Sequence, residues 1–192
     1  MEAILFILLG VILACSMSFV RHRWASFMSQ VPRDYANREP HFDVRTHLNG
    51  PIKCEGIIYG PLGRVTTSFV ADFFVTWNDN VGVMKEHFCY DDGSVQDREW
   101  QLTINNDGSV QAKAADVIGA GIGKPVGSAL RLKYRIKLAS TSGEHVLNAI
   151  DWMYVLPNNT IVNRSQFRKF GIKVGELVAT MRPIETEPGA IV

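Results

Sequence analysis

Across residues 52–184 apolar and polar side chains alternate in short runs, and each run ends in residues that favour turns. That period of two is the mark of half-buried β-strands. It predicts about nine strands, at 52–59, 64–77, 81–90, 94–104, 109–118, 128–138, 144–155, 160–167 and 172–181. The sixth is the clearest case. Leu130, Leu132, Tyr134, Ile136 and Leu138 interleave with Arg131, Lys133, Arg135 and Lys137, giving one apolar face and one basic face. The connections include Asn78-Asp79-Asn80, Asp91-Asp92-Gly93, Asn105-Asn106-Asp107-Gly108, Ser142-Gly143 and Pro157-Asn158-Asn159, all of which tolerate a positive φ or form local Asx bonds. Short turns between successive strands make a meander, and a meander of this size hides its edges by closing. The predicted fold is all-β, an antiparallel up-and-down barrel of about eight to ten strands with room for one small ligand.

Before the alternation begins, the pattern is different. Residues 3–20, AILFILLGVILACSMSFV, carry no charge, and as a helix they would reach about 27 Å at ~1.5 Å per residue, close to the ~30 Å hydrocarbon layer. A cleaved signal peptide has its positive charge ahead of the apolar run, whereas here Arg21, His22 and Arg23 follow it. Residues 1–28 therefore read as a single-pass membrane anchor, with Trp24, Phe27 and Met28 continuing at helical spacing into an interfacial extension. The basic flank favours a domain facing the cytoplasm. The alternative is lipoprotein processing at Ile12-Leu13-Ala14-Cys15, which would acylate Cys15 and place the domain in the periplasm. Residues 29–51 are polar, contain three prolines and read as linker and lead-in, and residues 185–192 read as a disordered tail.

Composition narrows the function classes. The formal net charge is +1, and with no aromatic-basic motif nucleic acid is not an expected partner. Cys54 and Cys89 form no CxxC, and the five histidines show no ligand-like spacing, so neither a metal nor another cofactor is expected. In an oxidising compartment a Cys54–Cys89 bridge is chemically possible; in the cytoplasm both stay reduced. Gly119 to Gly127, GAGIGKPVG, invites comparison with phosphate-binding loops. A P-loop fails, because Ile118 and Pro125 stand where glycine and serine or threonine are required, and the dinucleotide fingerprint fails at Lys124 or Val126. If the strand from Ser109 runs on, Gly119, Gly121 and Gly123 share one face and leave room for a barrel corner or a pocket mouth.

The order of Tyr90-Asp91-Asp92-Gly93, Arg98-x-Trp100, Ala115-Asp116-Val117-x-Gly119, Asp151-Trp152-Met153-Tyr154, Asn163-Arg164 and Phe170-Gly171-x-x-x-Gly175-Glu176 resembles the bacterial domain of unknown function 3833 family. The likeness spans roughly residues 34–184 and implies an envelope-associated, lipocalin-like barrel, often a lipoprotein, of no established activity. Two departures stand out. Ile150 occupies a position where members often carry a second acid, and the lipobox is degraded. The lipocalin G-x-W signature is also absent, so that similarity is architectural.

No hydrolase elbow or zinc-protease motif is present, and the chain reads as a binding protein more than an enzyme. Arg98, Asp116, Asp151, Arg164 and Glu176 lie within apolar strand patterns, and buried charges must be paired. They read either as an arginine-carboxylate network or as acid-base chemistry, with Asp151, Glu176 and Arg164 the catalytic candidates. Arg98, Trp100, Asp116, Gly119, Gly121, Gly123, Tyr134, Trp152 and Tyr154 are the candidate ligand contacts. The functional expectation is a membrane-anchored barrel that binds or shields a small apolar ligand such as a fatty acyl chain or other membrane lipid. An enzyme acting on that lipid and a structural protein with a filled barrel are the alternatives.

Overall fold

A computed structural model describes residues 2–140 and 143–184. The expected tail at 185–192 and the Ser142 position of the predicted Ser142-Gly143 turn lie outside the described residues. The chain divides into two compact units, Met1–Asp34 and Tyr35–Val192.

In the first unit, helix α1 (Glu2–Trp24) is exposed along its apolar run, as a helix made for a nonaqueous surrounding would be. By length and composition Glu2–Arg21 qualifies as a membrane span, and an N-terminal signal sequence meets the same description. The helix stops at Trp24. Phe27–Ser29 is a separate 3-10 turn capped by Ser26, so the expected helical extension through Phe27 and Met28 is not continuous. Ser26 and Ser29 cap one another there, offering the backbone hydrogen bonds that a continuing helix would have supplied.

Among the described residues the second unit is a closed antiparallel barrel of ten strands: β1 (Gly50–Tyr59), β2 (Val65–Asn78), β3 (Val81–Tyr90), β4 (Val95–Ile104), β5 (Val110–Lys113), β6 (Gly121–Val126), β7 (Ala129–Ser140), β8 (Gly143–Val155), β9 (Ile161–Lys169) and β10 (Ile172–Pro183). Each strand pairs with its sequence neighbours, and β1 pairs with β10 to complete the ring. Alternation decides which side chains enter. Phe69, Ala71, Phe73 and Val75 of β2 are buried inside, while Val70, Asp72, Phe74 and Thr76 face out. The turn chemistry is as the residues dictate: Asp92 and Asp107 accept the backbone N–H groups of Ser94 and Ser109 at 2.8 and 3.0 Å, and Gly93 and Gly108 take positive φ.

The predicted strand at 109–118 does not run on. It ends at Lys113, the chain turns through a positive φ at Gly119, and the glycine stretch forms its own strand, β6. Gly121 and Gly123 face inward, as their parity requires. A Cβ on Gly121 would come within 3.1 Å of Tyr134 Cβ, and one on Gly123 within 2.6 Å of the Arg131 carbonyl oxygen. The glycines thus serve close packing against β7. Gly119 stands apart from them in open space.

Within residues 29–51, read as linker and lead-in, the part from 35 to 49 packs on the barrel. Phe42, Val44 and Leu48 are buried in its core, each burial worth about 1.5–3 kcal/mol. The short helix α2 (Val44–His47), capped by Asp43, seals the end of the barrel where β1 begins. Trp77 Nε1 donates to the Leu48 carbonyl at 2.7 Å, and Phe42 N–H donates to the Gly127 carbonyl at 2.7 Å. Outside the wall, Tyr35 packs on Trp152 and Tyr154 at ring separations of 5.3 and 5.2 Å. Gly127 makes this approach possible, because a Cβ there would lie 1.7 Å from the Tyr35 carbonyl oxygen, and its φ is +53°.

Gly127→Ala is expected to destabilise the barrel by more than the roughly 1–2 kcal/mol that a left-handed backbone alone costs a residue with a Cβ. Gly63, with φ +77° and open space around it, is the control. Urea denaturation of Gly127→Ala and Gly63→Ala checks this; equal losses would remove the steric argument.

Candidate functional site

Because ten strands enclose more width than their side chains fill, the interior keeps a cavity of about 150 Å³. Its walls are mostly apolar, and Val44 and Leu48 form part of the lining at the sealed end. It shares Phe69, Phe88, Arg98, Ile136, Phe167 and Leu177 with a wider cleft of about 320 Å³ at the other end of the barrel. Ile58, Tyr59, Tyr90, Leu138 and Val174 line that mouth. The outer cleft by itself reaches the lower end of the ~300–1,000 Å³ range of small-molecule pockets, and the inner cavity is smaller.

Two polar groupings interrupt this lining. On β4, Arg98 reaches Asp116, in the connection between β5 and β6, with Nε 2.9 Å from Oδ2 and Nη2 3.0 Å from Oδ1. This two-pronged pair satisfies most of the guanidinium. Its plane lies 4.2 Å over the Trp100 ring. Glu86 of β3 is buried beside it, and its Oε2, 3.8 Å from Arg98 Nη1, has no hydrogen-bond partner among the described residues. Desolvation pushes the Glu86 carboxyl up to about 7, against the opposing pull of Arg98 and a hydrogen bond from Trp100. The second grouping centres on Asp151 of β8, fully buried among Tyr134 and Ser165. Desolvation raises it to about 6, although both neighbours hydrogen-bond to it, and its Oδ1 has no partner among the described residues. Burial, followed by the nearby Asp151 charge, pushes the Tyr134 phenol well up.

The wall separates the remaining candidates. Trp152 and Tyr154 alternate with Asp151 and Met153, and they stack on the outer face beneath Tyr35. Arg164 and Glu176 also face out. Arg164 Nε lies 2.6 Å from Glu176 Oε1, and Lys173 Nζ lies 2.7 Å from Oε2. Burial works to raise Glu176, but these two cations outweigh it and hold the carboxyl below its usual range. Asp151, Glu176 and Arg164 therefore do not converge: Asp151 lines the cavity, and the other two form an outer ion pair. Position 150 is on the outer face as well, paired with Gln166 and Lys133, so an acid there would point away from Asp151. Of the nine proposed ligand contacts, Arg98, Trp100 and Tyr134 line the cavity and Asp116 lines the mouth. Gly121 and Gly123 pack the wall, Gly119 lies in a turn, and the two aromatics are outside. Cys54 faces the cavity, its thiol pushed by burial up to about 12, while Cys89 is exposed on the opposite face, which rules out a bridge between them in this fold. Among the described residues no cluster of metal-ligating side chains is found.

Glu86 was not among the sequence candidates. Its neighbours Lys85 and His87 disguise it as part of a solvated run. Only its parity with Met84 and Phe88, both cavity-lining, marks it as inward.

Since Glu86 and Asp151 bind a proton more tightly folded than unfolded, they stabilise the barrel most below the ordinary carboxylate range. That contribution is lost as pH rises through about 6 to 7. Glu86→Gln should match the wild type near pH 3, begin to exceed it above about pH 4.5 and lead most at pH 8, at about 1.4 kcal/mol for each tenfold difference in proton affinity removed. Urea midpoints across this window provide the check, and parallel curves for the two proteins would contradict it.

No curated protein matches the sequence. Among solved structures the chain is similar to the S-type phycobiliprotein lyase CPES from Guillardia theta, with a TM-score of 0.56 over 82% of this chain and 99% of that one. At 7% identity the likeness is one of fold, the lipocalin-like barrel. The sequence profile of the proteins of unknown function DUF3833 matches residues 23–183, and the chain belongs to that family.

Proposed function

We propose that the barrel is a calyx that takes an apolar molecule in through its open end, a fatty acyl chain or another lipid, at a membrane to which residues 3–20 anchor the chain. The observation that carries this reading is the apolar cavity, closed by α2 at one end and sharing six wall residues with an open cleft at the other. The inner space matches an engineered cavity of about 150 Å³ that admits benzene. A longer chain would lie partly in the mouth, with its polar end near Arg98 and Asp116. A cavity of this size also speaks against the purely structural alternative. On the positive-inside tendency, the Arg21 to Arg23 flank favours the cytoplasmic side for the domain.

A second reading, an enzyme acting on such a lipid, has one specific observation in its favour. Glu86 and Asp151 line the same cavity and exchange protons near neutrality, the range an acid-base pair needs. It would assign proton transfer to Asp151 and Glu86, with Arg98 holding an anionic group.

Native mass spectrometry and solvent extraction of the purified full chain should recover a bound apolar molecule. Leu177→Trp, which adds bulk where cavity and mouth meet, should lower its occupancy at least tenfold and exclude a neutral naphthylamine probe. A folded wild-type protein that neither carries a ligand nor takes up the probe would overturn the calyx reading. Turnover of the recovered ligand that disappears in Asp151→Asn would favour the enzyme.

A further inference from the structure

The turns around the open end hold apolar side chains that nothing in the barrel covers. In the β1–β2 turn Leu62 is 86% exposed, and in the β9–β10 hairpin Phe170 is 90% and Ile172 69% exposed. Both turns lie at the mouth end. β10 stands between β1 and β9 in the ring, which makes them neighbours. Mouth-lining residues flank both: Tyr59, Gly60 and Thr66 on one, Val174 and Gly175 on the other.

Phe170 is the decisive residue. It adopts φ +51°, a conformation a bulky side chain rarely takes, and it does so at the tip of a hairpin. The hairpin is braced. Arg168 donates from Nε and Nη2 to the Gly171 carbonyl at 3.1 and 2.6 Å, and from Nη1 to Gln166 Oε1 at 2.8 Å. Phe170 has Lys169 Nζ 5.8 Å from its ring centroid but, at 90% exposure, buries almost none of its surface in the barrel. Such a patch is the mark of a contact surface.

The charge beside it says which kind. Arg168, Lys169 and Lys173 surround the hairpin tip, Lys173 and Arg164 share the carboxylate of Glu176, Lys169 Nζ lies 3.1 Å from His145 Nδ1, and Arg64 sits in the neighbouring turn. Apolar tips among cations match a bilayer surface bearing anionic headgroups, where side chains enter the interface and each nearby cation adds attraction. The acidic β3–β4 turn, with Asp91 and Asp92, is at the same end beyond β2, where Asp91 Oδ2 accepts from the Ser68 N–H at 3.0 Å. The cations thus gather on the β9–β10 side of the mouth and these acids on the β3–β4 side. The chain also carries its own span-length apolar helix, which makes a bilayer the surface at hand.

We infer that Leu62, Phe170 and Ile172 dip into an anionic membrane interface and bring the mouth of the barrel against the lipid. This goes beyond the calyx reading and stands apart from it, since a barrel with no ligand would dock in the same way.

The test uses the full chain reconstituted in phosphatidylglycerol-containing vesicles with brominated acyl chains. Phe170→Trp should show blue-shifted added emission that bromine quenches, and about 1 M salt, which cuts the screening length to about 3 Å, should reverse much of the quenching. Leu156→Trp, on an exposed turn at the sealed end, should stay in water and unquenched. Equal quenching of both would mean that tethering alone brings the barrel near lipid, and would overturn the inference. So would added emission from Phe170→Trp that bromine leaves unquenched, or a shift that follows protein concentration without lipid, which would assign the tips to a second copy of the chain.

Discussion

Eight consecutive residue pairs, from Ile52 with Pro183 to Tyr59 with Glu176, join the first strand to the last. The rest of the structure depends on that seam. With it, the ring of strands closes and every inward side chain faces other inward side chains. Without it, ten strands would be an open sheet with one apolar face in water. Closure also fixes the interior width, and at this strand number the side chains leave a space. The sealed end is consequently a separate structural task, met by Phe42, Val44 and Leu48 from the segment ahead of β1.

The space is not uniformly apolar, and its polar groups obey different rules on the two sides of the wall. Outside, Glu176 sits between Arg164 and Lys173 and stays ionised. Inside, Glu86 and Asp151 lack that company. Arg98 is already committed to Asp116, so desolvation prevails and the inner carboxyls hold their protons toward neutrality. Identical residue types, on opposite sides of one wall, thereby acquire different chemistry.

Much of the barrel was legible because burial on one face writes alternation into a strand. The runs that became β2, β3, β7 and β8 carry it plainly. β6 did not, because glycine and proline replace the side chains that would show the period, and the need for them arises from β7, which lies across the pair. Residues 35–49 looked like a linker because their apolar residues are sparse and bind a surface formed far along the chain. For the site, the limit was parity. Asp151 and Trp152 are adjacent and must face opposite ways, as must Arg164 and Ser165, so a grouping chosen by residue type alone mixed the two sides of the wall. Convergence of Glu86, Arg98 and Asp116 depends on the β3–β4 register, which pairs Glu86 with Arg98, and on the path of the β5–β6 connection, neither of which composition encodes.

The seam has a consequence in time. Its partners are separated by nearly the whole domain, and loop closure over such a span is slow compared with forming a hairpin. During synthesis, hairpins from β2 onward can zip as they emerge, but β1 has no second neighbour until β10 is complete. Until then the inward faces of the strands are open to water and to one another. The last strand made is the one that turns a curved sheet into a vessel.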